Sequence, residues 1–209
     1  IAIQSSSAMT VMLVGLVNSG IVDFCDTFGV VMGSNVGTTL TAWLLSLAGI
    51  GGDNFFLTLL KPMTFAPLLA FIGILFRMIS KEEKKKNIGL IFIGFAILMT
   101  GMDFMSNSMN SVQEMKGFQS LLTAFSSPIV ALLISILFTG IIQSSAATIG
   151  IVQALALTGA ITYEMAIPLV LGANIGTCIT AFLSSFGTNK NAKRVVALHI
   201  HVNVIGSVV

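Results

Sequence analysis

Two short runs of hydrogen-bonding residues interrupt stretches that are otherwise apolar: Gln4-Ser5-Ser6-Ser7 and Gln143-Ser144-Ser145. In a medium without water an unsatisfied hydroxyl or amide is expensive, so such runs must face protein, water or a ligand. Hydroxyls, Gln and Asn side-chain carbonyls and freed backbone carbonyls are the hard oxygen ligands a small alkali cation takes. The same hydroxyls turned as donors, with backbone N–H groups at the start of a half-helix, suit an oxyanion. A second pair of runs is Gly33-Ser34-Asn35-Val36-Gly37-Thr38 and Gly172-Ala173-Asn174-Ile175-Gly176-Thr177. The glycines are expected to let the backbone unwind and approach a ligand, and the Asn between them both donates and accepts. Thr38 and Thr41, like Thr177 and Thr180, stand three apart and share one helical face.

These runs belong to an internal repeat. The Gln-Ser-Ser and Gly-x-Asn-x-Gly-Thr runs recur at one offset of 139 residues, which Gly20 and Gly159, and Thr41-Ala42 and Thr180-Ala181, also keep. Taken singly, Ser-Ser or Gly-x-x-x-Gly in a membrane helix reads as close helix packing with hydroxyls bonded back to the i−4 carbonyl. Duplication of two breaks at a shared spacing favours function.

The elements that must position these runs are membrane helices. The chain is 55% hydrophobic and 9% charged, with mean hydropathy +0.99, where an ordinary soluble domain is about a quarter charged. No Asp, Glu, Lys or Arg occurs in 28–52, 62–76, 88–102 or 117–163, and several of these stretches reach the roughly 20 residues a membrane helix needs. The net charge of +2 does not point to nucleic acid, because most cations gather in two runs, 81–86 and 190–194, that read as loops. The lone cysteines, Cys25 and Cys178, have no metal-ligand spacing and read as packing residues. The chain opens and closes inside apolar runs and is expected to be part of a longer protein.

Single spans are expected near 28–50, 57–79, 88–105 and 163–186, with 128–157 folding back as a re-entrant hairpin at Gly140 and Gln143-Ser144-Ser145. That choice puts both basic runs on the cytoplasmic side and makes the two copies inverted. The expected fold class is an all-α membrane protein of inverted-topology repeats, with re-entrant helical hairpins and broken transmembrane helices. The first repeat covers 1–110 and the second 111–209. Such repeats recur in secondary transporters.

With Gln4-Ser5-Ser6-Ser7 and Gly33-Ser34-Asn35-Val36-Gly37-Thr38-Thr39 in one copy, and Gln143-Ser144-Ser145-Ala146 and Gly172-Ala173-Asn174-Ile175-Gly176-Thr177 in the other, the chain resembles the sodium-dependent phosphate cotransporter family, the type II group and its bacterial relatives. The resemblance covers essentially the whole chain. It implies a multi-pass protein of a bacterial inner membrane that moves inorganic phosphate by sodium symport with elevator-like alternating access. It also implies phosphate binding by Gln4, Ser5, Ser6, Ser7, Asn35, Thr38, Ser144, Ser145 and Asn174. Sodium would be held by Gln143, Ser144, Thr177 and Thr180. Sodium is then the coupling ion, with no organic cofactor. Ala146 in place of a serine and Cys178 in place of a common threonine make the half-sites chemically unequal. The stretch His199-Ile200-His201-Val202-Asn203 resembles the family's His-x-x-Phe-Asn without its Phe. In animal relatives an acidic residue of the first repeat goes with an extra sodium; the region about 61–70 offers Lys61 and no carboxylate, implying fewer coupled ions.

The remaining polar residues have plainer readings. Lys61 snorkels to an interface, and Asp23, Asp26 and Asp103 are interfacial. His199 and Asn203 share a face but lack a third metal ligand, so packing or a helix–helix hydrogen bond is expected. Lys81 to Lys86 form a solvated cytoplasmic loop touching anionic headgroups. Competing functions are transport of another oxyanion or small carboxylate, and a membrane phosphate sensor or scaffold with a soluble regulatory domain beyond Val209. A serine hydrolase would need a nearby base and a Gly-x-Ser-x-Gly turn, which the sequence lacks. Expected partners are phosphate, sodium and the lipid bilayer, not nucleic acid. A homodimer is expected by analogy with elevator-type transporters.

Overall fold

The computed structural model describes residues 3, 5–49, 62–112, 115, 117, 125 and 127–208. Gln4 and Lys61 lie outside the described residues, as does 57–61 of the expected second span. Among those described, all regular structure is helical: α1 (Ser6–Asn18), α2 (Phe24–Ser46) with a 3₁₀ turn at Leu47–Gly49, α3 (Pro62–Ile79), α4 (Glu83–Val112), α5 (Pro128–Ile142), α6 (Ser145–Leu157), α7 (Tyr163–Gly176), α8 (Cys178–Ser184) and α9 (Lys190–Val208). Three stretches are long and apolar enough to cross a membrane, Phe24–Ser46, Glu83–Ser108 and Tyr163–Ser184. The shorter apolar helices α1, α5 and α6 fall below the roughly 20 residues a crossing needs.

The sequence repeat is also a repeat of local structure. At the same offset, α6 matches α1 from first residue to last, and their serine caps have nearly identical backbones: Ser5 at φ −143°, ψ 105° and Ser144 at φ −141°, ψ 106°. Both helices end before a left-handed glycine, Gly20 at φ 73° and Gly159 at φ 74°, a conformation that favours glycine because it lacks a Cβ. Contacts between the copies are reciprocal. The helix α1 packs on α8, and its counterpart α6 packs on α2.

Small residues allow the closest helix contacts. In α3 and α4, a Cβ on Gly73 would stand 2.6 Å from the Gly89 carbonyl oxygen, and one on Gly89 2.5 Å from that of Gly73. Phe65 and Phe95 stack across the same seam with centroids 5.8 Å apart. The pair α5 and α7 is joined in the same way. A Cβ on Gly172 would fall 2.5 Å from the Leu132 carbonyl oxygen, and one on Gly176 2.7 Å from that of Ile136. The Ser135 hydroxyl donates to the Leu169 carbonyl in the same seam.

That seam corrects the expectation for the glycine motif. Gly172 and Gly176 lie within α7 and serve close packing, and the interruption falls one residue later, at Thr177 between α7 and α8. In the first copy α2 runs unbroken through Gly33 and Gly37, and Gly33 meets open space. Helical hydrogen bonding in an apolar layer outweighs glycine's conformational freedom unless a competing bond is supplied.

The basic runs are corrected as well. Residues 83–86 form the first turn of α4, where Glu83 suits the positive helix end and Lys85 and Lys86 pair with Glu82 and Glu83 at 3.1 and 2.7 Å. Lys190 likewise opens α9, whose start is capped by Asn189 Oδ1 accepting from Ala192 N at 2.9 Å. Cys25 is exposed, not packed, while Cys178 is buried.

These seams set unequal tolerances for a methyl group. Gly172→Ala is expected to destabilise the protein by about 1–3 kcal/mol through overpacking, while Gly33→Ala is neutral or slightly stabilising through helix propensity. Thermal denaturation in detergent micelles checks the contrast; equal melting temperatures for the two variants would refute the packing role.

Candidate functional site

Helices α1 and α6 begin at one cavity. A helix leaves its first four N–H groups without intrahelical partners, and each N-cap serine answers one. Ser5 Oγ accepts from Ala8 N at 3.1 Å, and Ser144 Oγ accepts from Ala147 N at 3.2 Å. The cap carbonyls take the next N–H groups, from Met9 at 3.1 Å and Thr148 at 3.2 Å. Helix geometry directs the remaining first-turn N–H groups, of Ser6 and Ser7 in α1 and of Ser145 and Ala146 in α6, toward the helix starts. A serine that accepts through a lone pair still has its own proton to give, so the Ser5 and Ser144 hydroxyls remain donors.

The cavity at these two ends has a volume of about 110 Å³ and is lined by Ser5, Ser6, Ser7, Gln143, Ser144, Ser145, Ala146 and Thr177. None of these side chains carries a formal charge. The positive field comes from the two helix ends, each equivalent to roughly half an elementary charge. A single water needs roughly 10–15 Å³ of such volume, so the space is ample for a small oxyanion.

The turn between α5 and α6 is held on both sides. Gln143 closes α5 in the left-handed conformation, φ 64°, with its N–H donating to Thr139 O at 2.7 Å. Its side-chain Nε2 donates to the Gly140 carbonyl, which leaves the side-chain oxygen to accept. Thr148 Oγ1 lies 3.2 Å from Ser144 O and shares a 2.8 Å hydrogen bond with Thr139 Oγ1, in which either hydroxyl can donate. This bond clasps α5 to α6 one turn from the tip. Ala131 of α5 with Val152 and Leu155 of α6 pack the far end of the pair, so the two helices form a hairpin.

Of the residues singled out in the sequence, the cavity brings together Ser5, Ser6, Ser7, Gln143, Ser144, Ser145 and Thr177. It does not bring Asn35, Thr38, Asn174 or Thr180 to its wall. Thr38 donates to the Ser34 carbonyl at 3.0 Å. Thr180 Oγ1 is buried and has no hydrogen-bond partner among the described residues, and Asn35 Oδ1 is in the same position. The Thr177 hydroxyl donates to Asn174 O at 2.7 Å, so toward the cavity it can offer only lone pairs.

The two motif asparagines meet on a third. Asn203 Oδ1 accepts from Asn35 Nδ2 at 2.6 Å and from Asn174 Nδ2 at 3.2 Å, while Asn203 Nδ2 donates to Cys178 Sγ at 3.0 Å. Asn203 is fully buried. A helix–helix hydrogen bond was the expectation for this residue, but its place between both motifs was not legible. The available signal was a buried-type amide four residues from His199 on one helix face.

Two serine-capped helix starts thus meet at a polar cavity without a charged side chain, in a helical protein with three helices long and apolar enough to cross a membrane among the described residues. The chain belongs to the Na+/Pi-cotransporter family, whose profile matches it twice, over residues 1–107 and 97–208. The uncharacterized protein YqeW of Bacillus subtilis is 31% identical over 98% of this chain and 62% of its own length. YjbB of Escherichia coli K12, named for inorganic phosphate export, is 27% identical over 99% of this chain and 36% of its own. Human sodium-dependent phosphate transport protein 2B is 34% identical over 44% of this chain and 14% of its own. The chain thus spans less than two thirds of the length of these bacterial relatives. No solved structure matches it significantly.

The asparagine cluster gives a separate test. Asn203→Ala would strand two buried donors, each costing about 1–3 kcal/mol, and is expected to lower stability more than Asn35→Ala or Asn174→Ala. A double-mutant cycle on melting temperature should show strong non-additivity between positions 203 and 174; additive effects would mean the bonds contribute nothing jointly.

Proposed function

We propose that this chain is the paired-hairpin core of a sodium-coupled symporter of inorganic phosphate. The observation that carries the reading is the convergence of two serine-capped helix N-termini on one cavity without a charged side chain. A phosphate there receives the free protons of Ser5 and Ser144, the hydroxyls of Ser6 and Ser145 and first-turn N–H groups, in the field of two helix ends. The cation side of the same cavity is made of oxygens whose protons point away or are uncommitted: Gln143 Oε1, the Ser144 hydroxyl, Thr177 Oγ1 and, behind them, the unpartnered Thr180 Oγ1. A sodium ion among them offsets the charge of the anion, so each ion favours binding of the other.

In this reading the α5–α6 hairpin is re-entrant, the copies are inverted and the polar cavity lies near the membrane midplane. Transport then proceeds by elevator-like movement of the hairpins against the remaining helices. The protein sits in a bacterial inner membrane, as a homodimer. Names of relatives point both to export and to sodium-dependent transport of phosphate; a symporter runs in either direction according to the gradients imposed. Because the donors are neutral hydroxyls and amides, another tetrahedral oxyanion is the second reading.

Sodium-gradient-driven flux of radiolabelled phosphate in proteoliposomes of the full-length protein, with sulfate as competitor, is the test. Flux is expected to need sodium and to fall at least tenfold in a Ser144→Ala, Ser145→Ala double variant. Sodium-dependent movement of sulfate without phosphate would keep the site and overturn the substrate. Phosphate binding with no flux would favour a sensor.

A further inference from the structure

We propose that Ser7 is a positioning residue that couples the anion cavity to the cation side, and that Ala146 at its equivalent position makes this coupling one-sided. The proposal rests on the sodium-coupled reading of the cavity. Ser7 Oγ donates to the Thr177 carbonyl at 3.2 Å, between two residues only 7% and 2% exposed and 170 positions apart. A serine hydroxyl has one proton. With that proton committed to Thr177, Ser7 cannot also donate it to an anion, unlike Ser5 and Ser144, which accept in their caps. Although Ser7 lines the anion cavity, its bond serves the other ion.

Thr177 stands at the interruption between α7 and α8, and its hydroxyl donates three residues back, to Asn174 O. Ser7 therefore ties the first turn of α1, whose N–H groups face the cavity, to Thr177 between α7 and α8, where the backbone stays right-handed at φ −64°, ψ −19°. The equivalent pair in the other half is Ala146 and Thr38. Ala146 has no hydroxyl, α2 is continuous through Thr38, and the Thr38 hydroxyl takes the ordinary bond four residues back, to Ser34 O. The serine-to-alanine difference thus leaves one half with a bond from the first turn of its short helix to the opposite long helix and gives the other half no hydroxyl to make it. A shift of α1 on anion binding is transmitted to the Thr177 oxygens, and a cation that fixes those oxygens holds α1 in return, because coupling between two sites is reciprocal.

The test is Ser7→Ala in the full-length protein, with phosphate flux measured against sodium at saturating phosphate and against phosphate at saturating sodium. A single neutral hydrogen bond shifts an equilibrium roughly two- to tenfold. The sodium concentration for half-maximal flux at saturating phosphate is expected to rise by about that factor and, because the coupling is reciprocal, the phosphate value at saturating sodium by a like factor, while phosphate binding measured without sodium changes less than twofold. Ser7→Thr, which keeps the hydroxyl, should restore the sodium value. Sodium-induced elevation of the melting temperature, read in the presence of phosphate, should shift to higher sodium in Ser7→Ala and serves as a readout independent of turnover. If the variant instead weakens phosphate with sodium unchanged, Ser7 is an anion ligand and the proposal is overturned. A loss of maximal rate alone, with both half-saturation values intact, overturns it as well. A wild-type protein whose phosphate flux ignores sodium overturns the sodium reading and this proposal together.

Discussion

A helix that begins inside an apolar layer has N–H groups with no water to meet them, and α1 and α6 both begin where the chain is otherwise hydrocarbon. Their serine caps satisfy one N–H each through the side chain and another through the carbonyl. The rest point into a cavity of about 110 Å³ that the two helices share. Two positive helix ends directed at one small void repel each other, so the arrangement needs something negative between them. The surrounding structure holds the ends together regardless: Thr139 and Thr148 clasp the hairpin, and Leu13, Val14 and Val17 of α1 are buried against Val31, Ala181, Ala192 and Val195. On the proposed reading, anion affinity comes first from the backbone, and the side chains refine it.

The match between the copies ends where a single residue has to serve both. Asn203 is one side chain, and its Oδ1 has two lone pairs, so it can accept from Asn35 and Asn174 at once while its amide nitrogen turns to Cys178. This explains why Cys178 need not be threonine: its position calls for an acceptor, and sulfur is a weak but sufficient one. Gln153 shows the opposite asymmetry. Its Nε2 reaches the Ala42 carbonyl at 3.4 Å, whereas its counterpart Val14 is buried in an apolar cluster with Ala181. Matched backbones carry unmatched chemistry.

Much of this was legible in the sequence. The offset of 139 residues places every boundary of α6 from those of α1, and serine before an apolar helical run is an N-cap signal in its own right. The long helices at 24–46, 83–108 and 163–184 follow from uninterrupted hydropathy. The glycine motif was misread because Gly-x-x-x-Gly has the same spelling whether it unwinds a helix or presses one against another. What decides is the neighbour, here the Leu132 and Ile136 carbonyls of α5, forty positions away. The place of Asn203 between both motifs depends on helices 168 and 29 positions away, and its spacing from His199 shows only that it shares a helix face. Lys81 to Lys86 looked like a loop because charge suggests solvent, yet alternating acids and lysines also begin a helix well.

The distribution of apolar and polar seams bears on how such a cavity opens. One wall is α5 with α6 and α7, joined by glycine contacts and the Ser135–Leu169 bond and filled by Val152, Leu155 and Leu169. The other is α1 with α2, α8 and α9, filled by valines and alanines. Glycine seams and methyl-filled clusters lose packing abruptly when shifted by even an ångström, which makes each wall a unit. Beside these apolar seams, polar links also cross between α1 or α2 and the second copy: Ser7 to Thr177, and the asparagines on Asn203. A hydrogen bond can be exchanged for one to water or ligand at little net cost, whereas a methyl-filled seam cannot. On the proposed reading, these polar links are the bonds whose strength an ion in the cavity would change.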